Sequence, residues 1–514
     1  MLNKMGSLGG LFGQSKVDHP LADPRELKKI ISELPKDNAF KSIDEIAGWL
    51  ESLLASDVPA DKFYEAARQL DEAAQLHLRR LAKDYLHAAR LTKSDEKRLW
   101  SINYGFWTLL AGAYERCLLC LGDKGKPAEL LKLALPFICT RVIAAIGAII
   151  KWEQFHYGPS SPLLWQRLGN ALLIAEEGGV ASKSVQLGAQ AGVSSPLQEY
   201  QKAMAFQAAS MDSLLPLEIE LAERLIEHFL QSFIFTVEAL HDSVYWVDLK
   251  LAQQPLRLAR MPEQALPTQR FFKPGPAHEA LKELLNNLER GGDIPPEISL
   301  GGQFYPKTLI PVLRHLTAYL AAVPPQRKHD RHRVKHRMSV LNGLVNAYVA
   351  VSGEFGGRPA GLSMESWVVE NVSRGGFGAI VSEMPADWLK VGALLAMQPE
   401  GGENWLLGIV RRYHRASESD ARAGIETLAR QALAVEVKPR AASSYAAVPG
   451  VPALVVLEGC AAGEVLAVLP PNTFDLRENL EYTSQGKRYQ LTPVALQEHT
   501  ADFELARYRL SDIG

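Results

Sequence analysis

The chain has 514 residues, with 56 Lys and Arg against 58 Asp and Glu and a net charge of −2. It is too long for one ordinary domain, and it has no overall field that would draw it to DNA or to an acidic membrane. Its four cysteines, Cys117, Cys120, Cys139 and Cys460, are too few and too scattered for a disulfide scaffold and fit a reducing cytoplasm.

The opening MLNKMGSLGGLFGQSK lacks the continuous apolar core of a signal peptide, and residues 1–22 are expected to form a flexible tail. From Asp23 to Ala322 apolar residues recur at helical spacing, with Pro and Gly as punctuation. This predicts an all-α domain over residues 23–322, either a helical bundle or a stack of helical hairpins. Within it Leu217, Leu221, Leu225, Ile226, Phe229 and Phe233 make one apolar stripe, with Asp212 and Ser213 as N-cap candidates. Trp165, Leu168 and Gly169 have the spacing of the first helix of a tetratricopeptide-like hairpin, without a second copy. Cys117-x-x-Cys120 lies in an apolar run with no second pair to complete a metal site, so buried helical cysteines are expected. The window from Leu133 to Ile150 is interrupted by Pro136, Thr140 and Arg141 and reads as a buried helix rather than a transmembrane segment.

The composition changes at VPPQ, residues 323–326, into RKHDRHRVKHR, Arg327 to Arg337, which holds six Arg and Lys and three His. His329, His332, His336 and Asp330 are metal-ligand types, but the cations between them would repel a metal ion. Next, Leu341, Gly343, Val345, Ala347, Val349 and Val351 alternate with Asn342, Asn346 and Tyr348, Leu344 being the exception, as in a half-buried strand. Further on ENVSRGGFG, Glu370 to Gly378, sits between the apolar runs SWVV and FGAIV and reads as a hairpin tip.

These segments contain Arg333-x-x-x-Arg337 and Asn371-x-Ser373-x-x-Gly376. In this order and strand context they resemble the PilZ domain, the bacterial receptor module for cyclic di-GMP, whose signatures are RxxxR just before the first strand and [D/N]xSxxG. The resemblance covers about residues 327–435, with NWLLGIVRRYHR and AGIETLARQAL similar to the closing strands and terminal helix. It implies a PilZ-like nucleotide-binding β-barrel over residues 326–437, with cyclic di-GMP as ligand and no cofactor or metal. An arginine fork can grip a phosphate or pair with guanine O6 and N7, the role that falls to Arg333 and Arg337. Asn371 can accept from guanine N–H groups, Ser373 can donate its hydroxyl, and Gly376 lets the backbone approach closely. Arg331 and Arg374 flank the two motifs and join the candidate set. Arg327 and Arg331 repeat the arginine spacing, so two registers are open, and the pair at 333 and 337 is preferred as nearest the strand. The neutral Asn371 stands where an acidic residue is commoner, which favours weaker binding. His332, just before the motif, leaves one or two ligand molecules open.

KPRAASSYAAVPGVPA, Lys438 to Ala453, reads as a linker, and the short β-like runs after it predict a small C-terminal β-barrel-like domain over residues 453–514. No GxSxG, HExxH or Walker loop points to an enzyme. General nucleic-acid binding lacks a stacking aromatic between Arg327 and Ser339. The expectation is a multidomain α + β cytoplasmic receptor of cyclic di-GMP whose helical domain contacts an unidentified protein partner. The alternative is a ligand-independent helical scaffold with a degenerate PilZ domain.

Overall fold

The computed structural model describes residues 19–87, 91–122, 125–188, 192–323, 325, 329–353, 364–382, 388–417, 420–440, 449–500 and 502–514. They form two compact units, the second comprising Tyr157–Pro159, Asp212–Leu215 and Pro325–Gly514, and the first the remainder.

The first unit carries helices α1 (Pro24–Glu33), α2 (Ala39–Leu54), α3 (Ala60–His87), α4 (Lys93–Leu119) and α5 (Lys126–Phe155). They are followed by α6 (Leu163–Glu177), α7 (Pro196–Ala208), α8 (Pro216–His228), α9 (Pro276–Glu289) and α10 (Pro306–Tyr319). Several starts are written in the sequence: side chains of Asp23, Asn38, Thr92 and Ser195 accept from the backbone N–H groups of the first turn. Helix α5 is the centre, packing against α3, α4, α6, α7 and α8. It is long and apolar enough by composition to cross a membrane, yet most of that window is buried inside the unit. Its Arg141 explains the interruption seen in the sequence. The guanidinium meets both Asp71 carboxylate oxygens on α3, at 2.7 and 2.5 Å, and Tyr114 on α4 donates to the same carboxylate at 2.8 Å. A charge is tolerated at this depth because the Asp71 carboxylate pairs with it.

Residues 23–322 are not helical throughout. A two-stranded piece joins β1 (Val185–Gln186) and β2 (Val193–Ser194). A four-stranded antiparallel sheet follows from β3 (Ile234–Thr236), β4 (Tyr245–Asp248), β5 (Leu256–Arg257) and β6 (Gln269–Lys273), in the order β3-β6-β4-β5. Aromatic residues drive it: Phe272 packs on Phe233, Phe235 and Tyr245, with ring centroids 4.8–5.8 Å apart. The apolar stripe read through Phe233 therefore stops at His228, since Phe233 serves this sheet. Asp212 and Ser213 lie in a 3-10 turn, and Pro216 opens α8 instead. Of the tail expected over residues 1–22, Pro20–Ala22 form a 3-10 turn with Leu21 and Ala22 buried; residues 1–18 lie outside the described residues. Gly169 on α6 has a packing role rather than a repeat role, since a Cβ there would collide with the backbone of Leu249.

The second unit holds two closed antiparallel barrels of six strands each. The first consists of β7 (His332–Asn342), β8 (Glu365–Ser373), β9 (Gly376–Ser382), β10 (Leu394–Pro399), β11 (Leu406–Arg415) and β12 (Asp420–Ala429), in the order β10-β11-β12-β9-β8-β7. The other consists of β13 (Leu433–Pro439), β14 (Val451–Val456), β15 (Glu464–Leu469), β16 (Leu480–Ser484), β17 (Lys487–His499) and β18 (Glu504–Asp512). Between them a helix, α11 (Gly343–Ser352), packs against β7, β10, β13 and β14.

Three readings change here. The alternating run after Asn342 is helix α11, not strand: Leu344, Ala347 and Val351, at helical spacing, face a core shared by both barrels. AGIETLARQAL is no terminal helix but runs through β12 into β13, with Ala423 and Ile425 turned into the first barrel's core. Because β13 pairs with β14 and β16, residues 433–437 belong to the second barrel rather than to the one expected over 326–437. Half of the expected linker, residues 441–448, lies outside the described residues.

Candidate ligand groove on the first barrel

The outer face of β7, β8, β9 and β12 is built from two rows of register partners. One row runs Arg333, Asn371, Gly378, Gly424, and the other Arg337, Val368, Ile380, Arg422. The inward positions of these strands, including Val369, Ala379, Val381, Ala423 and Ile425, fill the core, so the alternation itself turns the two rows outward. β-Bulges between Arg333 and His336 on β7 and between Val369 and Asn371 on β8 adjust the register so that both motifs share this face.

A groove of about 620 Å³ lies over the rows, lined by Arg331, Arg333, Val334, Lys335, Val368, Val369, Glu370, Asn371, Ile380 and Arg422. Four cations and one carboxylate among these residues make it a site for an anion. The carboxylate is accounted for: Glu370 lies 3.7 Å from the Arg422 guanidinium.

Asn371 is the most informative residue. Its Oδ1 is buried and has no hydrogen-bond partner among the described residues. Such an atom costs stability unless something donates to it. Its amide lies over Gly378, where a Cβ would come within 2.7 Å of Nδ2, so the glycine makes the seat for the side chain. Gly376 is required for a similar reason, because a Cβ there would run into the Ile425 carbonyl.

The remaining sequence candidates fall around this centre. Ser373 donates its hydroxyl to the Gly376 carbonyl at 3.1 Å and so closes the β8–β9 turn. Arg374 is exposed in that turn, and the His329 ring lies against its neighbour Gly375. Arg331 and Arg333 line the groove; Arg337 stands on the same face, opposite Val368, at its edge. The two arginines of the motif lie within β7 rather than before it, and the basic segment is strand from His332 onward. Of the alternative register, Arg331 lines the groove and Arg327 lies outside the described residues. Lys335, Glu370 and Arg422 were not foreseen. Arg422 had a signal: in DARAGIE small or apolar residues alternate with charged ones, the mark of a strand with its charges outward.

The barrel with its cationic groove, in a chain with a large helical unit, defines a ligand-binding receptor module. Two family models match the chain: the N-terminal domain of the cyclic-di-GMP receptor FimW over residues 25–239, and the middle PilZ domain of the cyclic-di-GMP receptor FimW over residues 363–433. Together they span more than half of the sequence, and the chain belongs to this family of cyclic di-GMP receptors. No curated protein matches it.

Proposed function

We propose that cyclic di-GMP binds on the outer face of β7, β8, β9 and β12, and that the chain senses it without turning it over. The observation that carries this reading is the unpartnered, buried Oδ1 of Asn371 beside Arg333 in a cationic groove. Guanine N1–H and N2–H groups suit that oxygen. The forks of Arg331 and Arg333 suit phosphate or guanine O6 and N7, with Arg337 at the edge. Ser373 and Gly376 shape the turn that holds Asn371, and Arg374 adds positive charge beside it. The protein acts in the cytoplasm, and the helical unit passes the signal to a protein partner.

Calorimetric titration of the full chain tests this. Cyclic di-GMP is expected to bind with a Kd of about 1 μM, equivalent to about 8.2 kcal/mol. Arg333→Ala should weaken it roughly tenfold or more. Gly378→Ala should do likewise by pushing the Asn371 amide from its seat, with the barrel still folded because the displaced group is the end of a side chain. The same titration reads whether one or two ligand molecules bind. Absence of binding would leave the helical scaffold with a degenerate PilZ domain as the better account.

A further inference from the structure

We infer that Arg422, which lies outside both motifs, selects a cyclic dinucleotide over a mononucleotide, and that its neighbour Glu370 weakly opposes binding. The inference rests on the nucleotide reading above. Arg422 sits on β12 and Arg337 on β7, at opposite ends of one register row, with the aliphatic side chains of Val368 and Ile380 between them. Four adjacent strands span about 14 Å along the sheet at the usual spacing. A ligand with one base and one phosphate meets one end of such a row. A ring carrying two phosphates and two guanines reaches from the β7 arginines to β12, laying its apolar faces over Val368 and Ile380.

Arg422 is suited to the far end. It lines the same groove as Arg333, its side chain is 67% exposed, and its fork can take a phosphate or a guanine edge. The carboxylate of Glu370 is too far, at 3.7 Å, to hold it by a close hydrogen bond, and an exposed pair of this kind contributes little. An incoming anion can therefore replace it. Glu370 also repels that anion, so it works as a weak brake on binding.

The test is titration of the full chain with cyclic di-GMP and, separately, with GMP, for the wild type, Arg333→Ala, Arg422→Ala, Arg422→Lys and Glu370→Gln. Arg422→Ala should weaken cyclic di-GMP about tenfold and leave GMP unchanged, lowering the preference by the same factor. Arg422→Lys should recover part of the loss, since it restores charge without the fork. Glu370→Gln should tighten cyclic di-GMP about two- to threefold. Unchanged thermal unfolding of the variants will show that the barrel is intact. If Arg333→Ala weakens cyclic di-GMP while Arg422→Ala matches the wild type with both ligands, the role of Arg422 is overturned and the nucleotide reading stands. If the wild type does not bind cyclic di-GMP, both readings fall together.

Discussion

Glu153, near the end of α5, is buried, and burial pushes its carboxyl up to about 7. Ser161 N–H at 3.2 Å and the Tyr104 hydroxyl at 3.4 Å oppose that shift only in part. A carboxyl whose pKa is higher folded than unfolded takes up protons on folding, so its contribution to stability is present below about pH 4.5 and is lost as pH rises through about 7. Glu153→Gln keeps an acceptor for Ser161 and removes the titration. The variant should match the wild type near pH 4 and exceed it above pH 7, by roughly 3 kcal/mol at most. Thermal midpoints across that range check this, and parallel curves for the two proteins would refute it.

At the scale of elements, α11 decides how the second unit coheres. Leu344 and Ala347 are buried in a core that also takes Leu394, Leu407 and Ile409 from the first barrel and Leu454, Val456 and Leu505 from the second. Ion pairs reinforce the joint: Arg411 meets Glu498 at 2.8 Å, and Lys390 meets Asp502 at 3.0 Å. Ala347→Glu should destabilise this unit by roughly 2–4 kcal/mol, since a carboxylate would enter a dry core without a partner. Hydrogen exchange should then quicken in β10 and β14 alike. Loss of protection in one barrel only would mean that the barrels are independent.

For the whole molecule, charge is the governing quantity. The chain is nearly neutral, at −2, while the groove concentrates four cations. Attraction is therefore local and of short range. Raising salt from about 50 to about 500 mM shortens the Debye length from roughly 14 to roughly 4 Å and should weaken cyclic di-GMP several-fold, while duplex DNA should not be retained at about 150 mM salt. Calorimetry in two salts and a gel-shift assay check the two halves. A salt-independent affinity would assign the binding to base contacts alone.

Some of this architecture was legible in the residues themselves. The helical part announced itself because a helix face is a local property, repeated every few residues, and caps such as Asp23 and Asn38 mark its starts. Asn371 and Arg333 were legible as candidates because their motifs contain the chemistry that a guanine or a phosphate needs. Tertiary structure alone decided what lies beside them. Arg422 enters the groove because β12 pairs with β9, a pairing that no local pattern encodes. The run from Gly343 to Ser352 contains Val, Ala and Leu, which both periods accept, and it became a helix because two barrels needed one apolar face between them. Residues 423–433 carry good helix formers, yet 423–429 are strand because burying Ala423 and Ile425 in a closed barrel outweighs a propensity of roughly a few tenths of a kcal/mol per residue.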